Sequence, residues 1–136
     1  MDRLTDYIID TVALVKFLED DLPKGADKAF KDAEAGHAHL YLPEIALGEF
    51  IYMALKGRLN VEDPRDGVED VVDQILATSF ITLSHLSHSA WDILIDLDLS
   101  ELHDRMIVAD ALDRGIPLVT SDDELKSVAQ LKTIWR

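Results

Sequence analysis

The stretch that decides the fold runs from residue 101 to residue 123: Glu101-Leu-His-Asp-Arg-Met-Ile-Val-Ala-Asp-Ala-Leu-Asp-Arg-Gly-Ile-Pro-Leu-Val-Thr-Ser-Asp-Asp123. It reads as a helix, a stop and a short buried strand. Leu102 to Arg114 carries the helical pattern, and Gly115 closes it just past the last turn. Ile116-Pro-Leu-Val119 is a short apolar run with proline at its entrance, where a strand tolerates one. Ser121-Asp-Asp-Glu124 has capping-box spacing and predicts the start of another helix. On a helical wheel of about 100° per residue with Asp104 at zero, Ile107, Val108 and Ala111 share its face. Asp113 falls opposite and Asp110 roughly a third of a turn away. Asp110 and Asp113 are therefore expected in solvent, while Asp104 sits on the stripe that packs against a sheet. An unpaired carboxylate there is costly, so it calls for a partner or a metal.

Working outward, the same alternation recurs. Tyr7-Ile-Ile-Asp10 is a first buried strand ending in an acid, and Thr11 to about Asp21 a helix. The Pro23-Lys-Gly25 turn leads to a more polar helix ending near Gly36, and His39-Leu-Tyr-Leu42 is a second strand. Pro43 suits the first helical position, opening a helix from Glu44 to Lys56 that stops at Gly57. Asp63-Pro64 is a fresh cap and first-turn pair. Val68, Val71, Val72, Ile75 and Leu76 then mark one amphipathic face. Phe80-Ile-Thr-Leu83 is a third strand, Ser87 caps a further helix, and Leu131 to Trp135 makes a last strand. Strands alternating with helices imply an α/β fold: a short central parallel sheet flanked by helices on both faces. No repeat or linker divides the chain, so residues 1–136 are expected to form one domain.

Composition bounds the function. An apolar content of 48% argues against disorder. The absence of cysteine removes disulfides and cysteine-based zinc sites. The opening Met1-Asp-Arg-Leu-Thr-Asp6 lacks a signal-peptide pattern, and no apolar run approaches the ~20 residues of a membrane span. A cytoplasmic, membrane-free protein is expected. Acids outnumber bases 27 to 13, a net charge of −14. Such a field repels nucleic acid at low salt. A high-salt cytoplasm, where the Debye length falls to about 3 Å at 1 M, would reconcile the charge with a nucleic-acid substrate.

Four acids stand where chemistry could occur. Asp10 ends the first strand and Asp122 follows the strand Ile116–Val119, so both belong to the carboxyl edge of a parallel sheet, where ligands bind. Asp104 lies in the first turn of its helix. Glu49 lies under two turns into the helix after the second strand, flanked on its face by Ile45 and Met53, and is long enough to reach back to that edge. Four carboxylates at one point repel one another, and a hard divalent cation such as Mg²⁺ or Mn²⁺ resolves this with oxygen ligands. Such an ion activates water and neutralises phosphoryl charge, which points to hydrolysis of a phosphodiester. The plainer account is that acids abound in this chain and that Asp122 is a helix cap. Glu44 and Asp123 are read as first-turn helix residues, and the five histidines as structural or surface groups.

The ordered set Ile8-Ile-Asp10-Thr11, Leu42-Pro-Glu-Ile-Ala-Leu-Gly-Glu49-Phe, Asp104-Arg-Met-Ile-Val-Ala and Leu118-Val-Thr120-Ser-Asp122 resembles the PIN-domain ribonucleases, above all the VapC-type toxins of toxin–antitoxin pairs. The resemblance covers nearly the whole chain. It implies that Asp10, Glu49, Asp104 and Asp122 bind Mg²⁺ or Mn²⁺, that Thr120 orients the site by hydrogen bonding, and that Thr11 is the small hydroxyl residue after the first acid. It implies RNA as substrate, an antitoxin as inhibitor and a homodimer. The second apolar face of the Glu44–Lys56 helix, formed by Leu47, Ile51, Ala54 and Leu55, is expected to meet other helices or a second copy. Three other readings compete. A PIN nuclease of RNA processing or decay would differ in its gene neighbourhood. A phosphoacceptor or phosphatase domain would need an acidic pair where Thr11 and Val12 stand. A non-catalytic acidic binding module would show no metal-dependent melting.

Overall fold

Short strands, buried along the centre of the sheet, set the frame. In the computed structural model, which describes residues 5–59 and 63–136, they are β1 (Tyr7–Ile9), β2 (Leu40–Pro43), β3 (Ile81–Ser84), β4 (Leu118–Val119) and β5 (Thr133–Ile134). All pair in parallel, in the order β3-β2-β1-β4-β5. Ile8, Ile9, Leu40, Leu42, Leu118 and Val119 expose no surface. Parallel strands covered on both faces read as continuous apolar runs, which is why these segments show no alternation. The opening Met1-Asp-Arg-Leu4, read above for signal-peptide features, lies outside the described residues.

Six helices among the described residues flank the sheet: α1 (Thr11–Leu18), α2 (Lys24–Glu34), α3 (Glu44–Leu55), α4 (Pro64–Ala77), α5 (His88–Asp96) and α6 (Leu102–Arg114). None is long and apolar enough to cross a membrane. Phe17 of α1 stacks on Phe30 of α2 with ring centroids 4.5 Å apart. α3 packs against α1, α4 and α6, and α6 packs against β1 and α5. α6 has the bounds its sequence predicts. It ends at Gly115, whose φ of 67° is left-handed. The Gly115 N–H bonds to the carbonyl of Ala111 at 2.9 Å, and the Ile116 N–H to the same oxygen at 3.2 Å, so orphan carbonyls of the last turn are satisfied. Ser87 caps α5 as expected, its hydroxyl accepting from the Ala90 N–H at 3.2 Å.

The strand order carries the functional consequence. From β1 the chain builds outward through β2 and β3 on one side, then returns to place β4 and β5 on the other. The order therefore reverses between β1 and β4. In open α/β sheets, the crevice outside the carboxyl ends at such a switch point is where ligands bind.

Three expectations need correction. Ser121–Glu124 does not open a regular helix; only a single 3-10 turn, Leu125–Ser127, follows. The Asp122 carboxylate accepts the Glu124 N–H at 2.9 Å, a local turn that competes with helix formation. Pro23-Lys-Gly25 is not a turn ahead of the helix, since α2 begins at Lys24. A Cβ on Gly25 would lie 2.6 Å from the Arg136 carbonyl oxygen, and the Ala26 N–H bonds to Trp135 at 2.8 Å. The glycine there admits another backbone, not a turn. Asp110 is not solvated: it is 2% exposed. The face it occupies is covered by α5 and the end of β3, and its oxygens accept from Ser84 Oγ and Arg114 Nε, each at 2.7 Å. Arg114 in turn lies 4.3 Å from the Tyr41 ring centre. Asp113 stays at the surface as expected, where it accepts from the Ser89 hydroxyl and from that of Ser87 at 2.7 Å, two bonds that hold its carboxyl below the usual range.

On α3, Leu47 and Ala54 are buried within the chain and Ile51 is half-buried, while Leu55 remains 55% exposed. Much of that second face thus meets the chain's own helices, and the outer part stays open.

Candidate active site

Asp10, Glu49, Asp104 and Asp122, the four acids singled out in sequence, line one pocket of about 130 Å³, together with Thr11, Val12, His103, Ile107 and Ser121. Each arrives from a different element. Asp10 follows β1 at the switch point, and Asp122 follows β4 beside it. Glu49 descends from α3, and Asp104 rises from the first turn of α6. The pocket therefore sits at the carboxyl edge, where the topology leaves room for it.

Asp10 is the most enclosed of the four, at 9% exposure. One of its oxygens accepts the Ala13 N–H at 2.8 Å and so caps α1. Burial pushes its carboxyl up to about 6; hydrogen bonds from the Thr120 hydroxyl and Ala13 pull the other way, and the charges of Asp104 and Asp122 push with the burial. The same hydroxyl oxygen of Thr120 accepts the Asp122 N–H at 3.1 Å. Thr120, fully buried, thus ties the first acid to the backbone of the last. Thr11 is also buried, and its hydroxyl reaches the Ala46 carbonyl at 3.4 Å, linking the start of α1 to α3.

Asp104 is about one-fifth exposed and Glu49 about one-third. Burial raises the Asp104 carboxyl, with His103 lowering it and Asp122, Glu49 and Glu101 raising it. His103 is the residue that sequence reasoning missed. Grouped with the surface histidines, it instead places Nε2 3.4 Å from Glu49 Oε2 and 3.5 Å from Asp104 Oδ1. Its position directly before Asp104 in the first helical turn was the available signal.

The acids share a pocket, yet among the described residues no three acids or histidines close on a single point as an ion would require. The chemistry of the donor set still fits a hard divalent ion: four carboxylates, mutual repulsion, and a buried Asp10 that meets no cationic partner among the described residues. A larger groove of about 710 Å³, lined by Val15, Leu18, Phe50, Leu59 and Val71 with Glu19, Asp20 and Asp21, lies elsewhere on the molecule.

The PIN domain family pattern matches residues 7–131, so the chain belongs to the PIN-domain family. Solved structures share its fold at low sequence identity. VapBC2 from Rickettsia felis, solved bound to a DNA fragment from their promoter, superposes with a TM-score of 0.72 at 17% identity, covering 94% of this chain and 96% of that one. VapBC-5 from Mycobacterium tuberculosis, of the VapBC family of toxin–antitoxin systems, gives 0.66 at 15%, covering 98% and 100%. VapC20 from the same organism, a sarcin–ricin loop cleaving toxin, gives 0.59 at 14%, covering 93% and 98%. No curated protein matches the chain in sequence.

Proposed function

We propose that this chain is a Mg²⁺- or Mn²⁺-dependent ribonuclease acting in the cytoplasm as the toxin of a toxin–antitoxin pair. One observation carries the reading: within a PIN domain, four carboxylates from four separate elements line a single pocket at the switch point of the sheet. A divalent ion bound there would supply Lewis acidity and a water of lowered pKa. Asp10, Glu49, Asp104 and Asp122 would hold it. Thr120 keeps Asp10 and the Asp122 turn in register through its hydroxyl, and Ile107 and Val12 wall the pocket with apolar surface. The toxin assignment is supported by the fold shared with proteins of toxin–antitoxin systems.

The antitoxin is expected to combine apolar and basic chemistry. α1 begins at the acid pocket with Thr11 and ends at Leu18 in the larger groove, a rise of about 12 Å. An amphipathic segment lying in that groove, with its basic side chains toward Glu19, Asp20 and Asp21, could extend an arginine to Asp10 or Asp104. A guanidinium suits that position because its fork pairs with a carboxylate bidentately. The open outer part of α3, around Tyr52 and Leu55, is the surface we assign to a homodimer; light scattering at micromolar concentration checks it.

The direct test of function is incubation with a mixed RNA pool in Mn²⁺, Mg²⁺ or EDTA, at low and high salt. Discrete cleavage products with either metal and none with EDTA are expected. An RNA pool left intact under every metal and salt condition would remove the ribonuclease reading.

A further inference from the structure

We propose that His103 is a positioning residue for the acid pocket, a brace that fixes the Glu49 carboxylate of α3 against the Asp104 carboxylate of α6. The inference rests on the metal-dependent reading above. Among the described residues no lysine or arginine lines the pocket, and His103 is the one nitrogen-bearing side chain there. Its Nε2 lies between the two carboxylates, 3.4 Å from Glu49 Oε2 and 3.5 Å from Asp104 Oδ1. The imidazole is one-third exposed, whereas the His88 side chain is 94% exposed. The turn that presents it is itself held. The Arg105 side chain donates to the Leu99 carbonyl, and the Arg105 N–H bonds to Glu101 at 3.1 Å.

The two carboxylates need such a group. Glu49 and Asp104 repel each other, and Glu49 has a long side chain that can swing out of the pocket into water. With the proton on Nε2, the ring donates toward both oxygens, opposes that motion and presets the distance between one ligand on α3 and one on α6. Groups that orient ligands without binding the ion typically contribute tenfold to a hundredfold in metal affinity or activity.

The test compares the parent with His103→Ala, His103→Leu and His103→Gln. Each is melted in EDTA and across a Mn²⁺ titration, and kcat and KM for RNA cleavage are measured alongside. Melting in EDTA gives the metal-free stability of each variant and so separates a general loss of stability from a loss of Mn²⁺ affinity. The Mn²⁺ concentration giving half of the full stabilisation should rise about tenfold in the Ala and Leu variants. The Gln variant, whose amide can still donate to a carboxylate, should recover part of that loss. At subsaturating Mn²⁺, kcat should fall and KM for RNA should hold. A parent stabilised by Mn²⁺ beside an Ala or Leu variant with the same midpoint would overturn the brace alone. A parent indifferent to Mn²⁺ would overturn the metal-dependent reading and the brace with it.

Discussion

Enclosed between Ile9 and Thr11, the Asp10 carboxylate serves two structures at once. It caps α1 through the Ala13 N–H, and burial, aided by the charges of Asp104 and Asp122, pushes its carboxyl up to about 6. The folded state therefore holds this proton more tightly than the unfolded chain. Folded protein binds the extra proton between about pH 4 and 6, so stability contributed by Asp10 is lost as pH rises through that window. In EDTA, Asp10→Asn keeps an oxygen for the cap and removes the charge. The variant should be more stable than the parent at pH 7.5, by up to about 3 kcal/mol for a carboxyl raised from its usual range to about 6. The difference should shrink toward pH 4. Thermal melts of both proteins from pH 4 to 8 check this; a variant less stable than the parent at pH 7.5 would mean that the ionised carboxylate supports the fold. Bound Mn²⁺ favours the ionised form, so parent affinity for it should climb as pH passes 6.

At the scale of elements, α6 joins scaffold and site. Its C-terminal half is held by Asp110, buried and bonded to Ser84 of β3 and Arg114 of its own last turn. Its N-terminal turn offers His103 and Asp104 to the pocket. Asp110→Ala leaves the Ser84 hydroxyl without its partner in a buried setting and removes the carboxylate that pairs with Arg114. A loss of about 1–3 kcal/mol is expected, read by urea denaturation, and a stability unchanged within error would show that the network carries no net weight. The same helix shows what a sequence discloses. Its bounds were legible because the stop glycine and the apolar stripe are local signals. The Asp104 face was legible because one wheel fixes it. The burial of Asp110 was not, because the cover comes from α5 and Ser84, which are distant in sequence. His103 was passed over for a related reason: a histidine is neither apolar nor acidic, and only the approach of Glu49 from α3 gives it a partner. The turn after β4 was misread because Asp122 bonds two residues ahead and closes a turn where capping-box spacing predicted a helix.

For the whole molecule, the ordering of strands explains why acids remote in sequence meet. Asp10 and Asp122 are brought together because β1 and β4 are neighbours, and Glu49 and Asp104 because α3 packs on α6. Parallel order and flanking helices were legible from alternation of elements; the five-strand order became definite only with the structure. The net charge of −14 acts on this whole. Like-charge repulsion opposes the compact state, and salt screens it. Melting temperature in EDTA should rise on moving from dilute buffer to molar KCl, and RNA binding should improve rather than weaken over the lower part of that range. A protein fully stable in dilute buffer and indifferent to KCl would remove high-salt adaptation from the account.

The central claim is that the four acids form a metal-dependent cleavage site, and Asp104→Asn addresses it most directly. The substitution keeps shape and removes one ligand charge. Parent and variant are compared for RNA cleavage with Mn²⁺, each at a temperature well below its own EDTA melting point. The account predicts that the variant melts in EDTA no lower than the parent, since repulsion in the pocket falls, and that its Mn²⁺-dependent cleavage is abolished. A variant that melts well below the parent in EDTA yet cleaves RNA at the parent's rate with Mn²⁺ would contradict it.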